Sequence, residues 1–343
     1  MPALSGEQIS SCRFLESPKD SLYYRQSRYE RVASEKKATQ HMTLNSMNAT
    51  RITTYLRDYS ARRRCSANHK GNMRNAARYL ERYEEYVGHH IESKDFDYLC
   101  VESFFIYMRQ NYELRYNTIV KIAQTIVAAV NRMRKDGMQV GRDYEDFPLK
   151  EEEVTTVALS DDEIECIYNL KLSKKSATIR DLFVFACETG LRYSDLIALQ
   201  DENLHGGLLN IRTSKTGALV CIPLRRRARE IIARHDGAIR YTDSQTNYNK
   251  CVKTLCRRAG ITEKVLCEYT VGTRFVRRSV PKYKLVSSHT GRRSFATNAY
   301  LAGILPARIM LITGHKTEQA FFRYIRVNKK ENAKALSELP FFK

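Results

Sequence analysis

The sequence predicts a mainly α protein with a small β-hairpin (α+β), folded as two domains. Three observations carry that prediction. The chain has 343 residues, more than one hydrophobic core usually serves. Apolar residues recur every three or four positions through most of it, as amphipathic helices require. One stretch of the second half instead alternates apolar and polar residues on either side of a Ser-Lys-Thr-Gly turn, a hairpin pattern.

Residues 1–44 are polar, poorly periodic and basic in places (Arg25, Arg28, Arg31, Lys36, Lys37), which predicts a loosely ordered extension. Helical patterns follow over 45–63, 67–88, 96–111 and 114–136, with Gly88 and Gly137 placed to stop two of them. In the second of these, Met73, Ala76, Leu80, Tyr83 and Val87 form one apolar stripe. Residues 45–150 thus read as an all-α bundle, ending at an acidic connector that contains Pro148. The second domain, 151–343, opens on Ser160-Asp161-Asp162-Glu163, a capping serine with acids in the first turn. Helices are expected at 160–170 and 177–188. Strands are expected at 208–213 and 218–223 around the turn Ser214–Gly217. Helices at 224–235 and 245–258, an irregular segment 262–286, and helices near 290–303 and 306–313 complete it. Pro306 suits a first helical turn.

Composition narrows the function. Lys and Arg number 58 against 38 Asp and Glu, a formal charge of +20. Up to residue 150 the net charge is +7 and beyond it +13, so both domains share the excess. The longest apolar runs are about six residues where a membrane helix needs roughly 20, and the N-terminus lacks a secretory layout. The expectation is a soluble, intracellular, basic protein with no membrane partner. Nine cysteines include no CxxC pair and no neighbouring set that completes a zinc site, so no metal is expected. Cys187 and Cys221 lie in apolar strings and read as small core residues.

Residues 51–82 alone net +7. Within them Lys70, Arg74, Arg78 and Arg82 are four apart and share one side of a helix. Together with Arg62 and Arg63 they are candidates for contact with a phosphate backbone; a solvated helix face is the plainer alternative. Basic excess in both halves favours nucleic acid over a membrane or an acidic protein.

Six side chains interrupt the apolar pattern of the second domain. Arg192 follows Thr189-Gly190-Leu191; Lys215 sits at the hairpin tip; His289 and Arg292 are three apart on one helix face; His315 follows Thr313-Gly314; and Tyr324 lies nine residues on. Arginine presents a planar fork that grips phosphate oxygens, and two of them offset the charge that develops during displacement at phosphorus. A tyrosine can attack phosphorus, and a lysine can protonate the leaving oxygen. Each residue alone is a weak signal. Their order and spacing together are not.

That order resembles the tyrosine recombinase (phage integrase) family. TGLRYSDL is similar to its first arginine box, RTSKTGALVCIPL to its lysine hairpin, SSHTGRRSFATNAYLAGI to its HxxR box, and ITGHKTEQAFFRYI to its histidine box and nucleophile. Several of these phrases look most like integrases of Bacteroides-type mobile elements. The resemblance implies a helical core-binding domain at 45–150 and a catalytic domain at 151–343. It makes Tyr324 the nucleophile that forms a 3′-phosphotyrosyl link, Lys215 the general acid, and Arg192 and Arg292 the phosphate grip. His315 would bind the phosphate, His289 would assist proton movement, and Asp195 would orient Arg192 from a second layer. It implies no cofactor, double-stranded DNA as substrate, a homotetramer on two DNA sites, accessory DNA-bending proteins, and work in the bacterial cytoplasm at the nucleoid. The tail residues Ala333, Leu336, Leu339, Phe341 and Phe342 form an apolar face that either folds back or docks on a neighbouring protomer. Two alternatives use the same scaffold: a type IB-like topoisomerase and a DNA-binding regulator that does not cut.

Overall fold

The computed structural model describes residues 50–62, 65–326 and, in the terminal segment, 333, 336, 337 and 340–342. The extension predicted over 1–44, and the first residues of the helix expected from 45, lie outside the described residues. The chain divides into two compact units, residues 1–152 with 270–274, and 153–269 with 275–343.

Unit one contains α1 (Ile52–Arg62), α2 (Ala67–Val87), α3 (Tyr98–Asn111) and α4 (Tyr116–Lys135). Along α4 the residues Ile119, Ile122, Ile126, Val130 and Met133 are buried, a three-and-four spacing that turns one stripe inward. Met73, Ala76, Leu80 and Tyr83 do the same on α2, with Val87 half-buried beside them. Gly88 ends α2 with φ of 79°, and Asp97 caps α3 by accepting from the Cys100 N–H at 2.8 Å. One buried carboxylate, Glu84, is fully answered: it accepts from Arg51 Nε at 3.1 Å and from the Ile91 N–H at 2.9 Å. Gly272 joins this unit through N–H donation to the Leu114 carbonyl (2.9 Å) and a bond accepted from Arg109 Nε (3.2 Å).

Unit two is built around one helix. It contains α5 (Asp161–Tyr168), α6 (Lys174–Thr189), α7 (Tyr193–Ile197), strands β1 (Leu204–His205), β2 (Leu208–Arg212) and β3 (Leu219–Pro223), then α8 (Arg226–Arg234) and α9 (Gln245–Arg258). Strands β4 (Lys264–Val271) and β5 (Arg274–Pro281) follow, except for their connected ends at 270–274, which belong to unit one, then α10 (Lys282–Leu285), α11 (Ser288–Leu301), α12 (Pro306–Thr313) and α13 (Glu318–Phe322). Every residue of α6 from Ile179 to Thr189 is buried. A helix covered on all sides must be wrapped by others, and α5, α8, α9 and α11 do the wrapping. Ser160 forms the capping box of α5 with Glu163.

The three strands form an antiparallel sheet in the order β1-β2-β3, pairing Leu209 with Ile222 and Ile211 with Val220. That register corrects one expectation. Val220 and Ile222 point inward, so Cys221 between them is exposed, while Cys187 on α6 is buried. The segment 262–286, expected to be irregular, carries the β4–β5 hairpin across Gly272-Thr273. Its β-branched and aromatic residues favour strands, but the arginines at 274, 277 and 278 on a largely exposed strand hide the alternation. Among the described residues no helix is long and apolar enough to cross a membrane.

Candidate active site

The site forms where α6 ends. Gly190 caps α6 in the left-handed region (φ 69°), and a Cβ there would lie 2.6 Å from Phe295 of α11. One turn back, a Cβ on Gly291 would lie 2.9 Å from that of Ala186. The two glycines let α6 and α11 approach closely, which brings Arg192, just past the end of α6, to the helix that carries His289 and Arg292.

Arg192, Lys215, His289, His315 and Tyr324 line one cleft of about 540 Å³ in unit two. Arg292 is 2 % exposed. Its Nη1 donates to the Gly190 carbonyl at 2.8 Å, and Nη2 donates to the Thr313 carbonyl. Among the described residues its Nε has no hydrogen-bond partner, and neither does Nη1 of Arg192. Burial above all, and then the nearby charge of Arg192, pull the Arg292 pKa down to about 10 against the opposing influence of Tyr324 and Asp195. Two guanidinium groups are thus held together, out of water, with N–H groups to spare.

Asp195 spends its two oxygens differently. Oδ1 accepts from the Ser214 N–H (2.9 Å) and hydroxyl (2.6 Å), at the start of the turn that carries Lys215. Oδ2 faces Arg192 Nη1 at 3.9 Å, beyond hydrogen-bond reach. One carboxylate therefore ties the hairpin tip to the arginine box. Lys215 itself is exposed.

The protonation of His315 follows from its neighbours. Arg292 Nη2 is only a donor, so at 3.3 Å from His315 Nε2 it makes that nitrogen the acceptor. The proton then sits on Nδ1 and is donated to the Thr313 hydroxyl at 2.8 Å, which in turn donates to the Ile309 carbonyl. Burial and the charges of Arg292 and Arg192 push the His315 pKa down to about 4, consistent with a neutral ring. His289, at the start of α11, is also held below its usual value. Loss of hydration contributes most, followed by the charges of Arg293, Arg292, Arg192 and Lys215.

Tyr324 follows α13 and is half-buried. Its ring centroid is 4.8 Å from that of His315 and 5.5 Å from Arg292 Cζ. A tyrosine hydroxyl, two guanidinium groups each with an N–H to spare, two imidazoles held below their usual pKa and one exposed ammonium fit displacement at an anionic phosphoester. Among the described residues no group of three or more His, Cys, Asp or Glu is arranged to hold a metal.

The other candidates lie in unit one. Arg74, Arg78 and Arg82 are exposed on α2 and Lys70 is half-buried. Among the described residues none of the four forms an ion pair, and Arg78 lies 5.0 Å over the Tyr79 ring. Arg63 and the side chain of Arg62 lie outside the described residues. Sequence reasoning missed Thr313, whose carbonyl and hydroxyl hold Arg292 and His315. It also missed Gln245, which lines the cleft and donates to Ser288 Oγ at 2.9 Å. Thr313 stands two residues before His315 and was open to notice; nothing local marks Gln245.

The sequence profile of the phage integrase family matches residues 158–331, and that of the phage integrase SAM-like domain matches residues 51–148. No curated protein matches significantly. Among solved structures, the Tn1549 transposon integrase in complex with transposon right end DNA is similar over 84 % of this chain and 99 % of its own, at 17 % identity and a TM-score of 0.61. A lambda integrase dimer bound to a COC′ core site is similar over 83 % of this chain and 79 % of its own, at 17 % identity and a TM-score of 0.61. XerH recombinase bound to a palindromic difH substrate is similar over 78 % and 77 %, at 15 % identity and a TM-score of 0.54. Those likenesses concern the fold. With a profile that spans half of its residues and a cleft arranged for phosphoryl displacement, the chain belongs to the phage integrase family, the tyrosine site-specific recombinases.

Proposed function

We propose that Tyr324 attacks a DNA phosphodiester gripped by Arg192 and Arg292, and that the protein recombines DNA through the resulting 3′-phosphotyrosyl link. The observation that carries this is the pair of buried N–H groups, Arg192 Nη1 and Arg292 Nε, that have no hydrogen-bond partner among the described residues, beside the cleft that Tyr324 lines. A buried donor left unpaired costs stability. A bound phosphate would satisfy both.

In this reading Tyr324 Oη bonds to phosphorus as the bond to the 5′ oxygen breaks. The tyrosine proton passes to His289, whose pKa burial and then its cationic neighbours hold below the usual value, favouring the neutral ring that can accept it. Lys215, on a tip anchored by Ser214 and Asp195, protonates the leaving 5′ oxygen. Phosphate also changes His315: an anion beside Nε2 favours the protonated ring, which then donates to a phosphate oxygen. The covalent link keeps the energy of the broken diester, so a 5′-hydroxyl from a partner duplex rejoins the strand.

Unit one supplies the second half of the grip, with Lys70, Arg74, Arg78 and Arg82 against the duplex backbone. Four protomers on two duplexes, joined through the terminal segment and assisted by DNA-bending proteins, would complete the assembly at the bacterial nucleoid. Phe341 is 89 % exposed, Phe342 58 % and Leu336 37 %, as is expected of a segment made to dock on a neighbour; Leu339 lies outside the described residues.

The test is covalent capture. Nicked duplexes spanning the ends of the DNA element that carries the gene should yield an adduct that survives denaturing electrophoresis. Tyr324→Phe should abolish it while gel retardation of DNA persists. An undiminished adduct in that variant would remove Tyr324 as nucleophile.

A further inference from the structure

We infer that Thr297 is the positioning residue that sets where Tyr324 stands over the phosphate, an inference that rests on the proposed role of Tyr324. Thr297 lies on α11, five residues after Arg292, and is 3 % exposed. Its hydroxyl makes two bonds to the nucleophile's own segment: it donates to the Tyr324 carbonyl at 3.4 Å and accepts from the Arg326 N–H at 3.1 Å. The Tyr324 N–H is spent on the Phe321 carbonyl at 2.8 Å. Arg326 is fixed further by Nε donation to the Thr156 hydroxyl at 2.5 Å.

Packing alone holds this segment weakly. Among the described residues the apolar cluster beneath it has three fully covered members, Ala296, Ile309 and Phe321, and six half-buried ones packed against them, Tyr324 and Ile325 included. A cluster of that size limits sliding of a short helix poorly, whereas directed hydrogen bonds limit it well. The same helix therefore presents Arg292 to the phosphate and holds the backbone of the attacking residue. The separation between nucleophile and electrophile is set by one rigid element rather than by a loop.

Thr297→Val keeps the branched shape and removes both bonds. It should slow single-turnover cleavage of a nicked duplex about 10- to 100-fold, with DNA affinity within about two-fold of wild type. Thr297→Ser, which restores the hydroxyl, should recover most of the rate. A 5′-bridging phosphorothiolate, whose leaving group needs no proton, should leave the valine defect in place, because the fault lies at the attacking atom. Should the valine variant fail to melt cooperatively, the alanine and serine variants carry the same comparison. The inference is overturned by a folded variant without the hydroxyl that cleaves at the wild-type rate, by equal losses of binding and cleavage, or by a serine variant as slow as the other. A wild-type protein that forms no adduct through Tyr324 would instead sink the underlying reading.

Discussion

Unit two buries arginine in two settings and treats it oppositely. On α8, Arg227 is 7 % exposed and saturated with carboxylates: Nε meets Glu188 at 2.7 Å, Nη1 meets Glu165 at 2.5 Å, and Nη2 meets Asp161 at 3.1 Å. Burial alone would lower its pKa, yet those acids outweigh burial and raise it. On α11, Arg292 is more deeply buried but meets only backbone carbonyls and an imidazole within hydrogen-bond reach, with Arg192 nearby, and its pKa falls. The first arginine is spent on holding α5, α6 and α8 together. The second keeps its Nε unpaired, which costs the fold some stability and, in the proposed reading, leaves a donor for an anion.

This contrast can be broken by experiment. The largest expected effect is on Arg192→Ala, which removes one of the two spare donors. Cleavage should fall about 100- to 1,000-fold, while the melting midpoint stays or rises because a repulsion with Arg292 is relieved. A matching fall in midpoint would mean that both arginines are structural. Next is Arg227→Ala, which strands Glu188 in the core with only the more distant Arg225 at 3.3 Å. Denaturant titration should show a loss of about 3 kcal/mol, with cleavage by the folded fraction unchanged; a stable variant with slowed cleavage would reverse the assignment.

The smallest effect, and the sharpest, concerns His315. Its pKa near 4 lies below the ordinary 6.5, so between those values the unfolded chain binds a proton that the folded one does not. The stability attached to the neutral ring is complete above pH 6.5 and is lost as pH falls toward 4. Ring-proton NMR should find the low midpoint in the free protein and a rise when DNA binds. A midpoint near 6.5 without DNA would contradict the tautomer deduced from Arg292 and Thr313.

Much of this was legible before folding. Helical spacing is a local property, so the stripe through Met73, Leu80 and Tyr83 and the start at Ser160 announce themselves. The six chemical residues were readable from their order and spacing along the chain, although none of them is distinctive alone. The β4–β5 hairpin did not, since arginines on its exposed strand mimic loop composition. Cys221 misled because an apolar string in a strand faces both ways. The carbonyls of Gly190 and Thr313 hold Arg292, yet a backbone acceptor leaves no mark on residue identity, and Thr297 looks like any threonine on a helix.

By itself the sequence determined which groups this protein has to work with, in what order, and on what kind of element, because side-chain chemistry and helix period are written residue by residue. Only the tertiary structure decided which arginine finds acids and which finds none, where the imidazole protons sit, and what holds the tyrosine. Those outcomes depend on hydration lost and neighbours gained across more than a hundred residues of chain, as between Gly190 and Arg292, and no local pattern encodes them.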